Sequence, residues 1–181
     1  MNRLRADATL LFVAVIWGSA FVAQKIANET MGPITFVGAR FLISALVILP
    51  LVFYEARKHA TPPAPGEMWI AGLIGLCLFT GAILQQIALV TTSASNGGFL
   101  TALYVVFVPF TTWILTRERV RPIVVVACII SITGAWILSG ASSFRDWVIS
   151  DILLVISDFA WALCISLIAI FLRQTARPFL L

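Results

Sequence analysis

Trp17-Gly-Ser-Ala-Phe-Val-Ala-Gln-Lys25 sets an indole, a glycine, a hydroxyl and a lysine inside one long apolar stretch. Trp17, Phe21 and Lys25 recur at four-residue intervals, so on a helix they form a single stripe. Arg40 stands in the second apolar stretch, Gln85 and Gln86 in the third, Asn96, Thr101 and Tyr104 in the fourth and Asp158 in the sixth. Ionisable groups at membrane depth are costly, and they characteristically bind solutes, carry protons or pair with one another. The chemistry expected is recognition of a small solute. Lys25 and Arg40 would attract its carboxylate or phosphate, while Gln85, Asn96 and Thr101 would offer hydrogen bonds. Trp17, Phe21 and Tyr104 would form apolar walls, and Asp158 would be a counter-ion or a proton carrier. Plainer readings stand beside these: a lysine that snorkels to the headgroups, an acid that faces the interface, and aromatics that only pack.

Little else could be catalytic. Cys77, Cys128 and Cys164 fall in separate apolar stretches without a metal-ligand spacing, and they read as buried packing thiols rather than a disulfide framework or a zinc site. His59 is the single histidine and lies in a proline-rich loop, which disfavours a histidine-assisted intramembrane protease. The expectation is a protein that is not an enzyme and takes no cofactor and no metal.

The elements that must position these residues are membrane helices. The chain has 181 residues, 61% hydrophobic and only 11% charged, against about 25% charged in soluble domains. With roughly 20 residues needed per span, six stretches qualify: 8–28, 34–54, 69–90, 97–116, 122–140 and 152–172. The net charge of +4 could suggest nucleic acid, but its distribution excludes that partner. Arg3, Arg5, Arg57, Lys58, Arg117, Arg119, Arg121, Arg173 and Arg177 flank the spans on one side, against Arg145 on the other. The positive-inside rule then places the N-terminus in the cytoplasm of a multi-pass protein of the cytoplasmic (inner) membrane. On this topology Lys25 lies roughly 5 Å, Arg40 roughly 9 Å and Asp158 roughly 10 Å below the outer surface.

Local signals refine the helices. Pro33 suits a helix start, and Ser95 or Asn96 suits the N-cap of the fourth span. Pro109 removes a backbone hydrogen bond near mid-membrane and should kink that span. Ala14 with Gly18, and Gly72, Gly75 and Gly81, invite close helix approach. At least one of Gln85 and Gln86 should face the bundle. The loop from Glu55 to Glu67, with Pro62, Pro63 and Pro65, reads as a solvated linker. A signal peptide cut near Gly18-Ser-Ala20 is the alternative for the N-terminus, but it would divide a motif that recurs.

The recurrence relates the first span to the sixth. Asp7 and Asp151 each precede a tryptophan, Trp17 and Trp161, by ten residues, an offset of 144, and Leu10 matches Leu154. Five spans per unit is an odd number, so a second unit enters the membrane upside down, as in inverted-repeat transporters whose sites lie at the repeat interface.

With Trp17 to Lys25, Pro33 followed by Arg40, Ala88-Leu-Val-Thr-Thr-Ser-Ala-Ser95, Phe99 to Pro109, Arg117-Glu118-Arg119 and Gly134, the chain resembles the drug/metabolite transporter superfamily in its EamA-like branch. The resemblance implies ten helices in two inverted five-helix units around a cavity that opens alternately to either side. It also implies export of amino acids, other metabolites or toxic small molecules, often driven by an ion gradient. Gly18, Pro33, Pro109, Glu118 and Gly134 would be structural positions. Asp158 departs from the family, where a small or apolar residue is expected. The sequence ends at Arg177-Pro-Phe-Leu-Leu181, where a seventh helix would begin.

The resulting expectation is an all-α membrane protein of six transmembrane helices. Residues 1–145 would form the first repeat and 146–181 an incomplete second. It would act as a secondary transporter of small, amino-acid-like or anionic solutes, in contact with lipid, with proton or ion coupling. The alternative is a truncated, non-transporting membrane protein or pairing subunit, for example a homodimer, that needs a second chain to complete the cavity.

Overall fold

The structure is a computed structural model that describes residues 3–58, 65–117, 119–139 and 149–174. The described residues form helices joined by turns: α1 (Arg3–Thr30), α2 (Pro33–Lys58), α3 (Pro65–Ala88), α4 (Ala94–Thr101), α5 (Tyr104–Thr116), α6 (Pro122–Ser139) and α7 (Ile149–Gln174). Five segments, with α4 and α5 counted as one, are long and apolar enough to cross a membrane, and α6 contributes a shorter apolar stretch. The expected all-α membrane architecture is therefore present. Glu118 lies outside the described residues, as do His59, Arg145, Asp146 and Arg177.

α7 is the centre of the packing. It lies most extensively against α3, then against α5 and α4. Ile74 and Cys77 of α3 meet Cys164, Leu167 and Phe171 of α7, with Phe171 and Cys164 all but fully buried. Higher up, Leu100 of α4 and Ala88 of α3 close on Leu154. α1 and α2 are almost entirely exposed within the chain, because their lipid-facing and unpartnered surfaces are apolar and carry no penalty in hydrocarbon.

Polar contacts decide the register between α5 and α7. The Thr111 and Ser166 hydroxyls lie 2.8 Å apart and those of Thr112 and Ser166 2.9 Å apart. Such hydroxyls hold helices together where water is absent and hydrophobic sorting is weak.

The fourth span is two helices, not one. Between them Ala102 and Leu103 keep right-handed helical angles, while the backbone tightens to three-residue hydrogen bonds at Leu103, Val105 and Val106. The irregularity thus falls just N-terminal to Pro109, which remains inside α5. Proline crowds the carbonyl four residues earlier, here that of Val105, and leaves it without a helical donor. α2 carries a second internal proline, Pro50, yet continues through it.

Two local expectations need correction. The N-cap of α4 is Ser93, whose hydroxyl accepts from the Asn96 backbone N–H at 3.1 Å, and not Ser95 or Asn96. Gly18, Gly72 and Gly75 have open space over the position a Cβ would take, so no helix approaches closely there among the described residues. Gly81 does receive one: an added Cβ would sit 3.1 Å from the Trp161 indole. Pro33 opens α2, as its fixed φ favours.

Arg117 ends α5 in the left-handed region, with φ 61° and its N–H donating to the Trp113 carbonyl at 2.8 Å. A non-glycine residue pays roughly 1–2 kcal/mol for that conformation, and glycine gives back about 0.5–1 in chain entropy. Arg117→Gly is therefore expected to raise thermal stability in detergent slightly, by on the order of 0.5 kcal/mol; a clear fall in the melting midpoint would show that the arginine side chain outweighs the strain.

Candidate functional site

The apolar stripe of α1 reaches the rest of the fold through polar side chains. The Gln24 side chain donates to its own helix at Ala20 (3.2 Å) and accepts from the Gln85 amide at 3.3 Å. Gln85 in turn accepts from the Trp161 indole N–H at 3.1 Å, so one chain of bonds joins α1, α3 and α7. Beside it, Gln86 is fully buried and donates to the Gln24 carbonyl (3.1 Å) and to Asn28 Oδ1 (2.8 Å). Asn28 Nδ2 returns a bond to the Gln86 carbonyl at 3.2 Å. Both glutamines face the bundle. Trp161 is further fixed by the edge of Trp17, with ring centroids 6.2 Å apart at 63°, and by Gly81 beneath it.

Lys25 is committed to the backbone. Its ammonium donates to the carbonyls of Leu89 (3.0 Å), Val90 (2.9 Å) and Thr92 (2.9 Å), in the turn that follows α3. An ammonium has three protons, and each finds a carbonyl that a helix end leaves orphaned. The positive charge also suits the negative end of the α3 dipole.

The other charged candidates stand apart. Arg40 on α2 is half-buried, with its guanidinium carbon 5.7 Å from the centre of the Phe41 ring. Phe41 continues to Phe79 of α3, so this arginine belongs to the α2–α3 face. Asp158 on α7 is completely buried, and neither carboxylate oxygen has a hydrogen-bond partner among the described residues. Asn96 reaches a different acid, Asp151, at 3.4 Å. Lys25, Arg40 and Asp158 are therefore not brought into one cluster.

A groove of about 870 Å³ runs between α1 and the α4–α5 segment. Trp17, Phe21, Thr101 and Tyr104 line it, together with Gly18 and Phe99. The open space over Gly18 is part of this groove, which explains why no helix fills it. Phe21 is nearly buried, and Thr101 is buried with its hydroxyl unpartnered among the described residues. The size falls within the roughly 300–1,000 Å³ of small-molecule sites, and such sites combine apolar walls with a few placed polar groups. Gln85, Asn96, Lys25, Arg40 and Asp158 are not among its lining residues.

The sequence matches the EamA-like transporter family over residues 4–140. The chain belongs to the EamA-like transporter family. This EamA-like chain is 34% identical over 159 residues to an uncharacterized transporter of Archaeoglobus fulgidus, covering 86% of this chain and 46% of that protein. It is 27% identical over 156 residues to the uncharacterized inner membrane transporter YedA of Escherichia coli, covering 84% and 49%. An S-adenosylmethionine/S-adenosylhomocysteine transporter of Chlamydia trachomatis is 28% identical over 116 residues, covering 64% and 34%. The chain thus spans about half the length of the curated relatives it matches over most of its own. No solved structure matches it.

Sequence reasoning missed Gln24 and Asn28, which sit one turn apart and supply the α1 side of the amide network. Their polarity within a membrane-length helix was the available signal. The three-carbonyl role of Lys25 had no such signal, because backbone acceptors carry no sequence mark. Lys25→Met is expected to lower stability by on the order of 3 kcal/mol, seen as a lower melting midpoint in detergent and less folded protein in membranes. Stability equal to wild type would remove the backbone role.

Proposed function

We propose that this EamA-like chain forms one wall of the solute pathway of a secondary transporter for small metabolites in the cytoplasmic membrane, with its N-terminus in the cytoplasm. The groove lined by Trp17, Phe21, Thr101 and Tyr104 carries the reading, because its lining combines aromatic walls with a buried hydroxyl that has no partner among the described residues. Relatives about twice as long support a pathway whose opposite wall is further polypeptide. Alternating access would move α1 against α4 and α5, since α1 packs thinly on the remaining helices.

The solute class is amino-acid-like. Flat aromatic walls accept apolar or planar groups, and a relative is named for a solute that is itself an amino-acid derivative. The protons of Lys25 are engaged, so a role in attracting a carboxylate would fall to Arg40, which stands on the α2–α3 face outside the groove. Asp158 provides ion coupling: it is a buried carboxyl on α7 beside the α4 contact. Leu154, one turn before it, packs on Leu100, the neighbour of Thr101. Trp17 and Trp161, equivalent positions of the internal repeat, touch edge to edge, and equivalent residues meet only near the axis that relates two units. This contact supports residues 1–145 and 146–181 as parts of two inverted repeats.

Uptake and export of labelled amino acids and S-adenosylmethionine, in vesicles with and without a pH gradient, test the reading. Thr101→Ala and Trp17→Ala are expected to lower transport about tenfold, the loss of roughly 1–1.5 kcal/mol of binding, with folding intact; unchanged transport in both would overturn the site. Asp158→Leu keeps the branching at Cγ and removes two unpartnered oxygens, so the melting midpoint should rise, by about 1–3 kcal/mol of stability. Coupled transport should fall in the same variant. A stabilised protein that still couples solute to the gradient would exclude Asp158 from coupling.

A further inference from the structure

A second cavity, of about 420 Å³, lies between α5 and α6; Val105 lines both it and the groove. Its walls are apolar, with Val108, Pro109, Val124, Ala127 and Cys128 along them. Arg119 and Arg121 stand at one end, both exposed and with neither guanidinium hydrogen-bonded or ion-paired among the described residues. Thr112, already joined to Ser166, and Ser131 are the hydroxyls on an otherwise mainly aliphatic wall. Such a wall suits a hydrocarbon chain better than a small polar solute.

The length of the crevice points the same way. It extends along α6 from Arg121 to Ser131, ten residues or about 15 Å at 1.5 Å per residue. That is about half of a bilayer core of roughly 30 Å, the depth of one leaflet. The cations sit where headgroups lie, and the apolar floor runs past Pro109, near the middle of the span, to Val106 and Val105. The Cys128 thiol, 3.9 Å from the Val106 carbonyl, joins α6 to α5 there.

We propose that this crevice binds one acyl chain of an anionic phospholipid, with the headgroup phosphate held between Arg119 and Arg121. Paired guanidiniums match phosphate oxygens better than lysines do, and basic pockets between membrane helices are suited to anionic headgroups. A lipid so seated would brace α6, which among the packed helices has few contacts with its neighbours, against α5.

Native mass spectrometry of the full chain, released from detergent with phosphatidylglycerol or phosphatidylcholine, tests the assignment. Phosphatidylglycerol should be retained preferentially, and Arg119→Gln with Arg121→Gln should reduce its retention about tenfold or more. Ala127→Trp, which blocks the crevice and keeps both charges, should also reduce it. Wild-type retention in the arginine double variant would overturn the proposal. So would loss of lipid in that variant alone, with Ala127→Trp unaffected, since this marks a headgroup resting on the surface. Displacement of the lipid by millimolar inorganic phosphate would likewise overturn it in favour of a soluble-anion site. If the double variant does not fold, Ala127→Trp alone decides, with unchanged retention counting against the crevice.

Discussion

Three carbonyls at the end of α3 and one ammonium from α1 set the arrangement on which the rest depends. A helix end leaves carbonyls without intrahelical donors, and a side-chain donor can supply the partner. α3 ends in a turn that exposes the carbonyls of Leu89, Val90 and Thr92, and Lys25 reaches all of them. This fixes the height of α1 against α3. Gln24 and Asn28 then meet Gln85 and Gln86 at the right level, and Trp161 of α7 enters the same network. The half-buried Lys25 ammonium satisfies acceptors that the helix end leaves without intrahelical donors.

The two halves of the fold are held in different ways. α7 against α3 and α5 is a packed interface, with Phe171, Leu154 and Cys164 fully enclosed and hydroxyl pairs setting its register. α1 makes few apolar contacts within the chain and is positioned by its polar ones. Apolar surface facing lipid gains nothing by packing on another helix, so a few hydrogen bonds suffice to place α1. They also leave room beside it, and that room is the groove lined by Trp17 and Tyr104.

Much of this was legible in the sequence, for identifiable reasons. Span number followed from apolar length, and Pro33 marked the start of α2 because proline fixes its own backbone angle. The expected walls Trp17, Phe21 and Tyr104 do line one groove with Thr101, whereas Gln85, Asn96 and Lys25, named for the same site, do not line it. Charge was read less well. Lys25, Arg40 and Asp158 were grouped by depth, but depth leaves the angle around the bundle undetermined, and the three point to different neighbours. The cap at Ser93 was missed in favour of Ser95 or Asn96 because several hydroxyl and amide residues crowd one turn, where backbone conformation alone decides which of them caps.

Asp158 and Thr101, like Thr92 and the side-chain oxygen of Gln86, carry buried oxygens without partners among the described residues. Gln24, Gln85 and Asn28 close a bonded network, whereas the Asp158 oxygens and the Thr101 hydroxyl are buried without partners among the described residues. An unpartnered buried polar group destabilises a fold by its lost hydration, and in a transporter that deficit is removed when a solute or ion arrives. Both residues border the contact of α4 with α7, where Leu100 meets Leu154. On the alternating-access reading, that contact is where occupancy of the groove would be felt by the packed half of the fold. The network at Lys25 would then be the fixed point and the α4–α7 contact the responsive one.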